Sequence, residues 1–103
     1  MFLLNMDYIP GTDFEILGLV RGATVLAKDA GTDFMAGLMN FVGGEIVAYT
    51  DMLEEARQTA TERMEAEAEK LGADAVINIR YSTSAIMAGA AEILVYGTAV
   101  RYK

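Results

Sequence analysis

Apolar and polar positions alternate as in a strand, then recur as in a helix, then return to strand spacing. From Phe14 to Lys28 the chain reads Phe-Glu-Ile-Leu-Gly-Leu-Val-Arg-Gly-Ala-Thr-Val-Leu-Ala-Lys, rich in β-branched and aliphatic residues. This predicts a long strand, with Gly18 and Gly22 as bulges or bends. Ahead of it, Ile9-Pro10-Gly11 marks a turn that closes an N-terminal arm. Behind it, Gly31-Thr32-Asp33 reads as a turn leading into a helix cap. Between Phe34 and Val42 two helical sets overlap, Phe34/Leu38/Phe41 and Met35/Met39/Val42. A short helix with apolar surface facing two directions is therefore expected there, ended by Gly43-Gly44.

A second helix is predicted from Glu45 to Leu71, stopped by Gly72. Its inward stripe is Leu53, Ala56, Ala60, Met64, Ala68 and Leu71, at steps of three and four. Alanines at the centre of that stripe allow close approach to a sheet. Glu54, Glu55, Arg57, Glu62, Glu65, Glu67 and Glu69 form the solvated side. The run Ala75–Ser82 then alternates, placing Ala75, Ile77, Ile79 and Tyr81 on one face and Asn78 and Arg80 on the other. A longer, more apolar strand follows from Ala91 to Tyr102, and the intervening 83–90 reads as the connection of a wide antiparallel hairpin. The expectation is an α+β subunit in the order β-α-α-β-β, its long helix packed on an antiparallel sheet. No repeat or linker divides residues 1–103, so a single domain is expected.

Composition narrows the function classes. Eight Lys and Arg against fifteen Asp and Glu give a formal charge of −7, which repels phosphate and argues against a nucleic-acid partner. No run approaches the ~20 apolar residues of a membrane span. The opening Met1–Asp7 lacks the basic and apolar regions of a signal peptide. With no cysteine, disulfides are impossible, and a cytoplasmic location is expected.

Size arithmetic points to self-association. A helix from 45 to 71 is ~40 Å long at ~1.5 Å per residue, whereas a compact domain of this length has a radius of gyration near 13 Å. The two-sided segment 34–42 and the apolar strand Ile93–Val100 both need cover that one small sheet cannot give. A closed homo-oligomer supplies it, with Met35, Leu38, Met39, Phe41 and Val42 as the expected interface.

The same residues carry a family likeness. Leu17-Gly18-Leu19-Val20-Arg21-Gly22, Met35-Ala36-Gly37-Leu38, Val42-Gly43-Gly44-Glu45-Ile46, Tyr49-Thr50, Glu55-Ala56-Arg57, Gly72-Ala73-Asp74-Ala75-Val76 and Tyr96-Gly97-Thr98-Ala99-Val100 keep the order and spacing of blocks in the YbjQ family. The chain resembles that family from about Asp7 to Val100. The resemblance implies a small α+β fold, assembly into ring-like homopentamers, and the heavy-metal-binding role ascribed to an otherwise uncharacterised family. It supplies no catalytic residues to transfer.

Soft metals require thiolate, thioether or imidazole, and the chain has neither Cys nor His. Methionine sulfur remains: Met35 and Met39 stand at i, i+4, and Met87 lies in the hairpin connection. These are the candidate metal ligands, set against plain packing by a flexible side chain. Glu62, Glu65 and Glu69 share a helix surface without the loop spacing of a calcium site. Gly43-Gly44 precedes a helix start, yet no Lys-Ser/Thr of a phosphate loop follows. Ser82-Thr83-Ser84, Tyr49 and Tyr96 carry hydroxyls with no base at a catalytic spacing. Asn78, Arg80 and Glu92 interrupt apolar strands and are the candidate ligand-binding residues. Arg80 with Glu92 forms either a cross-strand ion pair or part of a small polar pocket at a subunit boundary.

The function expected from the sequence is accordingly that of a non-enzymatic cytoplasmic homo-oligomer binding an ion or small ligand, with no cofactor predicted. Metal binding through methionine sulfur or symmetry-related carboxylates is the alternative. A third reading is an enzyme with a carboxylate and Arg80 at the subunit boundary.

Overall fold

A computed structural model describes residues 1–27, 47–87 and 90–103. Its elements are β1 (Phe2–Leu3), β2 (Phe14–Ala27), α1 (Val47–Lys70), β3 (Ala75–Met87) and β4 (Ala90–Tyr102). The strands form one sheet in the order β1-β3-β4-β2, with β1 parallel to β3 and the remaining neighbours antiparallel. The α+β class therefore holds, on a mixed rather than a purely antiparallel sheet. The predicted helix at 34–42 lies outside the described residues.

The helix packs as its stripe requires. Ala56, Ala60, Met64 and Ala68 are buried against Val20, Val76, Ile79, Ile93, Val95 and Ala99. Leu53 is only half-buried, and Leu71 is exposed. Leu71 falls outside the stripe because α1 ends at Lys70 in a Schellman turn. Ala73 N–H donates to Ala68 C=O at 3.1 Å, and Gly72 N–H donates to Glu69 C=O at 3.0 Å. Gly72 has φ 78°, the left-handed conformation this turn demands.

Contact between α1 and β2 is made by backbone at Gly22. A Cβ there would overlap the Ala60 carbonyl oxygen and stand 2.5 Å from the Met64 amide nitrogen. Gly22 is thus neither bulge nor bend; it pairs regularly with Val95 and admits the helix. The bulge of β2 lies between Ile16 and Gly18, close to where the glycine pattern placed one.

Strand β3 departs from simple alternation. Its ladder with β4 shifts between Ile77 and Arg80, where Asn78 adopts φ 55°. One extra residue flips the facing of everything that follows. Ile79 consequently joins Val76 in the helix-side core, while Ala75 and Ile77 form a second cluster with Val100 on the opposite face. Tyr81 also turns to the helix side, where its hydroxyl lies 2.8 Å from Thr61 Oγ1. The predicted grouping of Ala75, Ile77, Ile79 and Tyr81 on one face is corrected by this bulge.

The hairpin is tight rather than wide. Strand pairing runs through Ser84↔Glu92, Ala85↔Ala91 and Met87↔Ala90, so Ser82, Thr83 and Ser84 are strand residues. The arm contributes structure that no periodicity announces. Leu4 N–H donates to Val76 C=O at 3.1 Å, Ile79 N–H to Leu4 C=O at 3.2 Å and Asn78 N–H to Met6 C=O at 2.8 Å. After the turn closed by Thr12 N–H to Ile9 C=O at 3.1 Å, the chain enters β2 at the other edge of the sheet. Leu4, Ile9 and Phe14 pack on the Ala75/Ile77/Val100 cluster along the way.

Only one end of the helix-free sheet face is covered by this crossing. Farther along, Leu19, Val25 and Tyr96 alternate with the buried Val20 and Val95 and so point away from α1, with exposures of 70%, 53% and 39%. The molecule measures 54 × 25 × 17 Å with a radius of gyration of 16.7 Å, well above the ~13 Å of a compact domain this long.

Two substitutions test this account of packing. Gly22→Ala is expected to lower stability by about 2 kcal/mol in urea unfolding, because overpacking outweighs the gain in strand propensity. At the exposed bulge, Asn78→Gly should be neutral or stabilising, whereas Asn78→Val should cost about 1–3 kcal/mol for a β-branched residue at positive φ.

Candidate functional site

The sequence-predicted residues are not brought together. Arg80 sits opposite Tyr96, whereas Glu92 sits opposite Ser84 on β3 and Val25 on β2. Four residues of strand separate Tyr96 from Glu92, about 13 Å at ~3.3 Å per residue. The Arg80–Glu92 ion pair is therefore not formed. Instead the Arg80 guanidinium donates to the carbonyl oxygens of Asn5, at 3.3 Å, and Ile79, at 3.0 Å. Asn78 occupies the bulge, and its backbone N–H holds Met6. Both residues fasten the arm to β3. Glu92 lines a shallow hollow of about 480 Å³ with Arg21, Gly22, Ala23 and Leu94.

A second cavity lies along the outer edge of β2. Leu19, Val20 and Arg21 form one wall; Glu67, Lys70 and Leu71, at the end of α1, form the other, around about 830 Å³. Lys70 Nζ lies 3.2 Å from Glu67 Oε1. Nearby, the Arg63 guanidinium donates to the Ala23 carbonyl oxygen at 2.6 Å, so the helix also ties down the edge strand. Sequence reading passed over Arg21, although a lone arginine within an apolar strand was a visible signal. What it does not disclose is that the end of α1 comes alongside.

A third cavity of about 190 Å³ opens between β2 and α1, lined by Thr24, Leu26, Met52, Glu55, Ala56 and Thr59. Thr24 Oγ1 is buried there without a hydrogen-bond partner. An ordered water in this cavity would give Thr24 Oγ1 the partner it lacks.

Metal chemistry finds little to work with. Among the described residues no three His, Cys, Asp or Glu side chains cluster to hold an ion. Met64 is sealed in the core and Met52 lines the small cavity, while none of the three cavities is lined by two methionines. A soft-metal site built on thioethers needs two or three that converge. Met35 and Met39 lie outside the described residues, as does the side chain of Met87, the last residue of β3. The expected interface residues Leu38, Phe41 and Val42 lie outside them too. The described residues therefore do not fit a heavy-metal centre. Among them, no helix is long and apolar enough to cross a membrane.

Comparison with known proteins places the chain. A family model described as "Putative heavy-metal-binding" matches residues 1–103. A UPF0145 protein of Clostridium novyi is 58% identical over 101 residues, covering 98% of both chains. A UPF0145 protein of Archaeoglobus fulgidus is 63% identical over 89 residues, covering 86% of this chain and 82% of its own. Among solved structures, a protein of unknown function from Pediococcus pentosaceus, assigned to the DUF74 family, superimposes with a TM-score of 0.71. That likeness, at 16% identity over 100% of this chain and 98% of the other, bears on the fold alone. With its whole length matched and its blocks in order, the chain belongs to the YbjQ family, whose UPF0145 members carry no assigned activity.

Proposed function

We propose that the chain is a non-enzymatic subunit of a homo-oligomeric ring, and that the uncovered part of its sheet packs against further copies. The observation that carries this reading is the apolar surface that stays exposed beyond the described helix and arm. Val25 and Tyr96 stand on the helix-free face beyond the reach of Leu4, Ile9 and Phe14, and Ile86 is exposed toward the hairpin end. A monomer that left such a face in water would waste roughly 25 cal/mol for each Å² of apolar surface it failed to bury.

The segment carrying Met35, Leu38, Met39, Phe41 and Val42 belongs to the same interface in this proposal, because its apolar residues fall at two overlapping sets of helical spacings in the sequence. A pentamer is the number favoured by the family resemblance. Cytoplasmic placement is part of the proposal and rests on the absence of cysteine. The non-enzymatic reading draws on the lack of any His or Cys and on the strand placement of Ser82-Thr83-Ser84.

Native mass spectrometry tests the assembly. The 11.1 kDa chain should appear as a single species near five times that mass. The double variant Val25→Glu/Tyr96→Glu and the single variant Leu38→Asp should each give monomers that remain folded by circular dichroism. A monomeric parent protein would overturn the ring, and intact rings from both variants would overturn this placement of its interface.

A further inference from the structure

We infer that the hollow on the helix-free face of the sheet binds a small zwitterion whose ammonium and carboxylate are separated by a short methylene chain. The inference deepens the ring proposal and rests on it, because a neighbouring copy laid over Val25 and Tyr96 would roof the hollow.

Strand register brings the parts of the site together. Across β2 and β4, Arg21 pairs with Tyr96, Ala23 with Leu94 and Val25 with Glu92. On the other side of β4, Arg80 pairs with Tyr96, Ser82 with Leu94 and Ser84 with Glu92. Their neighbours Val20, Ile93 and Val95 belong to the helix-side core, so these three rows share the face turned away from α1. The first row is cationic, the third carries a carboxylate, and Ala23 and Leu94 lie between. Arg21, Ala23, Glu92 and Leu94 line one hollow of about 480 Å³, within the ~300–1,000 Å³ common to small-molecule sites. The rows of Arg21 and Glu92 are about 13 Å apart along the strands at ~3.3 Å per residue.

Both charges lack a partner. Among the described residues neither Arg21 nor Glu92 makes a hydrogen bond or ion pair, even though they share the hollow. The other arginines are engaged: Arg57 and Arg101 hold Glu54 and Glu15, and Arg63 and Arg80 donate to backbone carbonyls. Once a neighbour covers this face, an unpaired guanidinium and an unpaired carboxylate lose water with nothing to replace it, which is strongly unfavourable. One ligand carrying both charges satisfies both. Its carboxylate accepts paired N–H···O bonds from Arg21, its ammonium donates to Glu92, and its methylenes lie on Leu94 and Ala23. A plain anion leaves Glu92 unmet, and a plain amine leaves Arg21 unmet. An α-amino acid holds its two charges too close together to span the row of Leu94.

The probe is 5-aminopentanoate. Isothermal titration of the purified protein should give one saturable site per chain, with pentanoate, pentylamine and glycine each binding at least about tenfold more weakly. Arg21→Gln should weaken the probe by about tenfold or more and leave pentylamine unchanged. Glu92→Gln should weaken it similarly and leave pentanoate unchanged. Urea midpoints equal to the parent's check folding in both variants, and native mass spectrometry of the same samples checks assembly. Intact rings without saturable uptake of the probe, or variants that bind it as the parent does, would overturn the inference and leave the ring standing. Glycine bound as tightly as the probe would overturn the separated-charge ligand class. A monomeric parent would overturn the ring and, with it, the roofed site.

Discussion

Helix α1 lies on strand β2 with nothing between the two backbones at Gly22, and the rest of the subunit follows from that contact. Any side chain at residue 22 would strike the Ala60 carbonyl, so helix and strand meet at the distance only glycine allows. The small stripe of Ala56, Ala60 and Ala68 continues the close approach, and Met64 fills the remaining space toward Val95 and Ile93. Held this near, α1 brings Arg63 onto the Ala23 carbonyl and sets Glu67, Lys70 and Leu71 beside Leu19 and Arg21. Arg63 also occupies an acceptor on the outer strand that would otherwise be open to pairing with another chain.

The opposite face is governed by a different constraint. The arm binds the backbone edge of β3 only as far as the bulge at Asn78, where the Met6 and Leu4 carbonyls accept from the Asn78 and Ile79 amides, and then crosses to β2. The crossing seals Ala75, Ile77 and Val100 and stops there. Beyond it, the face carries Val25 and Tyr96 into solvent, next to the polar Arg80, Ser82 and Ser84. Among the described residues the sheet is thus covered on both sides at one end and on the helix side alone at the other, in a molecule 54 Å long.

Much of this was readable from residue order. The 24-residue helix, its stop at Gly72, the long strand from Phe14 and the turn at Ile9–Gly11 are local features, fixed by periodicity and by glycine or proline chemistry. Three things were not local. Strand β1 is two residues long and exists only because β3 offers an edge to pair with. The bulge at Asn78 reverses the facing of Ile79 and Tyr81, and one extra residue leaves no trace in an alternating apolar run. The strand extension beyond Ser82 through Thr83 and Ser84 is dictated by pairing with Ile93 and Glu92, against a composition that suggests a turn. The candidate site suffered for the same reason. Arg80 and Glu92 are opposite one another only in a wide hairpin, and the real register moves them apart. Arg21 comes beside Glu92 in a shallow hollow only through the pairing of β2 with β4, some seventy residues along the chain.

If the backbone contact at Gly22 binds helix and sheet into one cooperative unit, their amides must open together. Hydrogen exchange followed residue by residue measures this directly. The slowest amides of α1, from Ala56 to Ala68, should exchange at the same free energy as those of β4 from Ile93 to Ala99, equal to that of global unfolding. Exchange of the α1 amides a hundredfold or more faster than those of β4, with the sheet still protected, would show a helix that detaches on its own and would contradict the account.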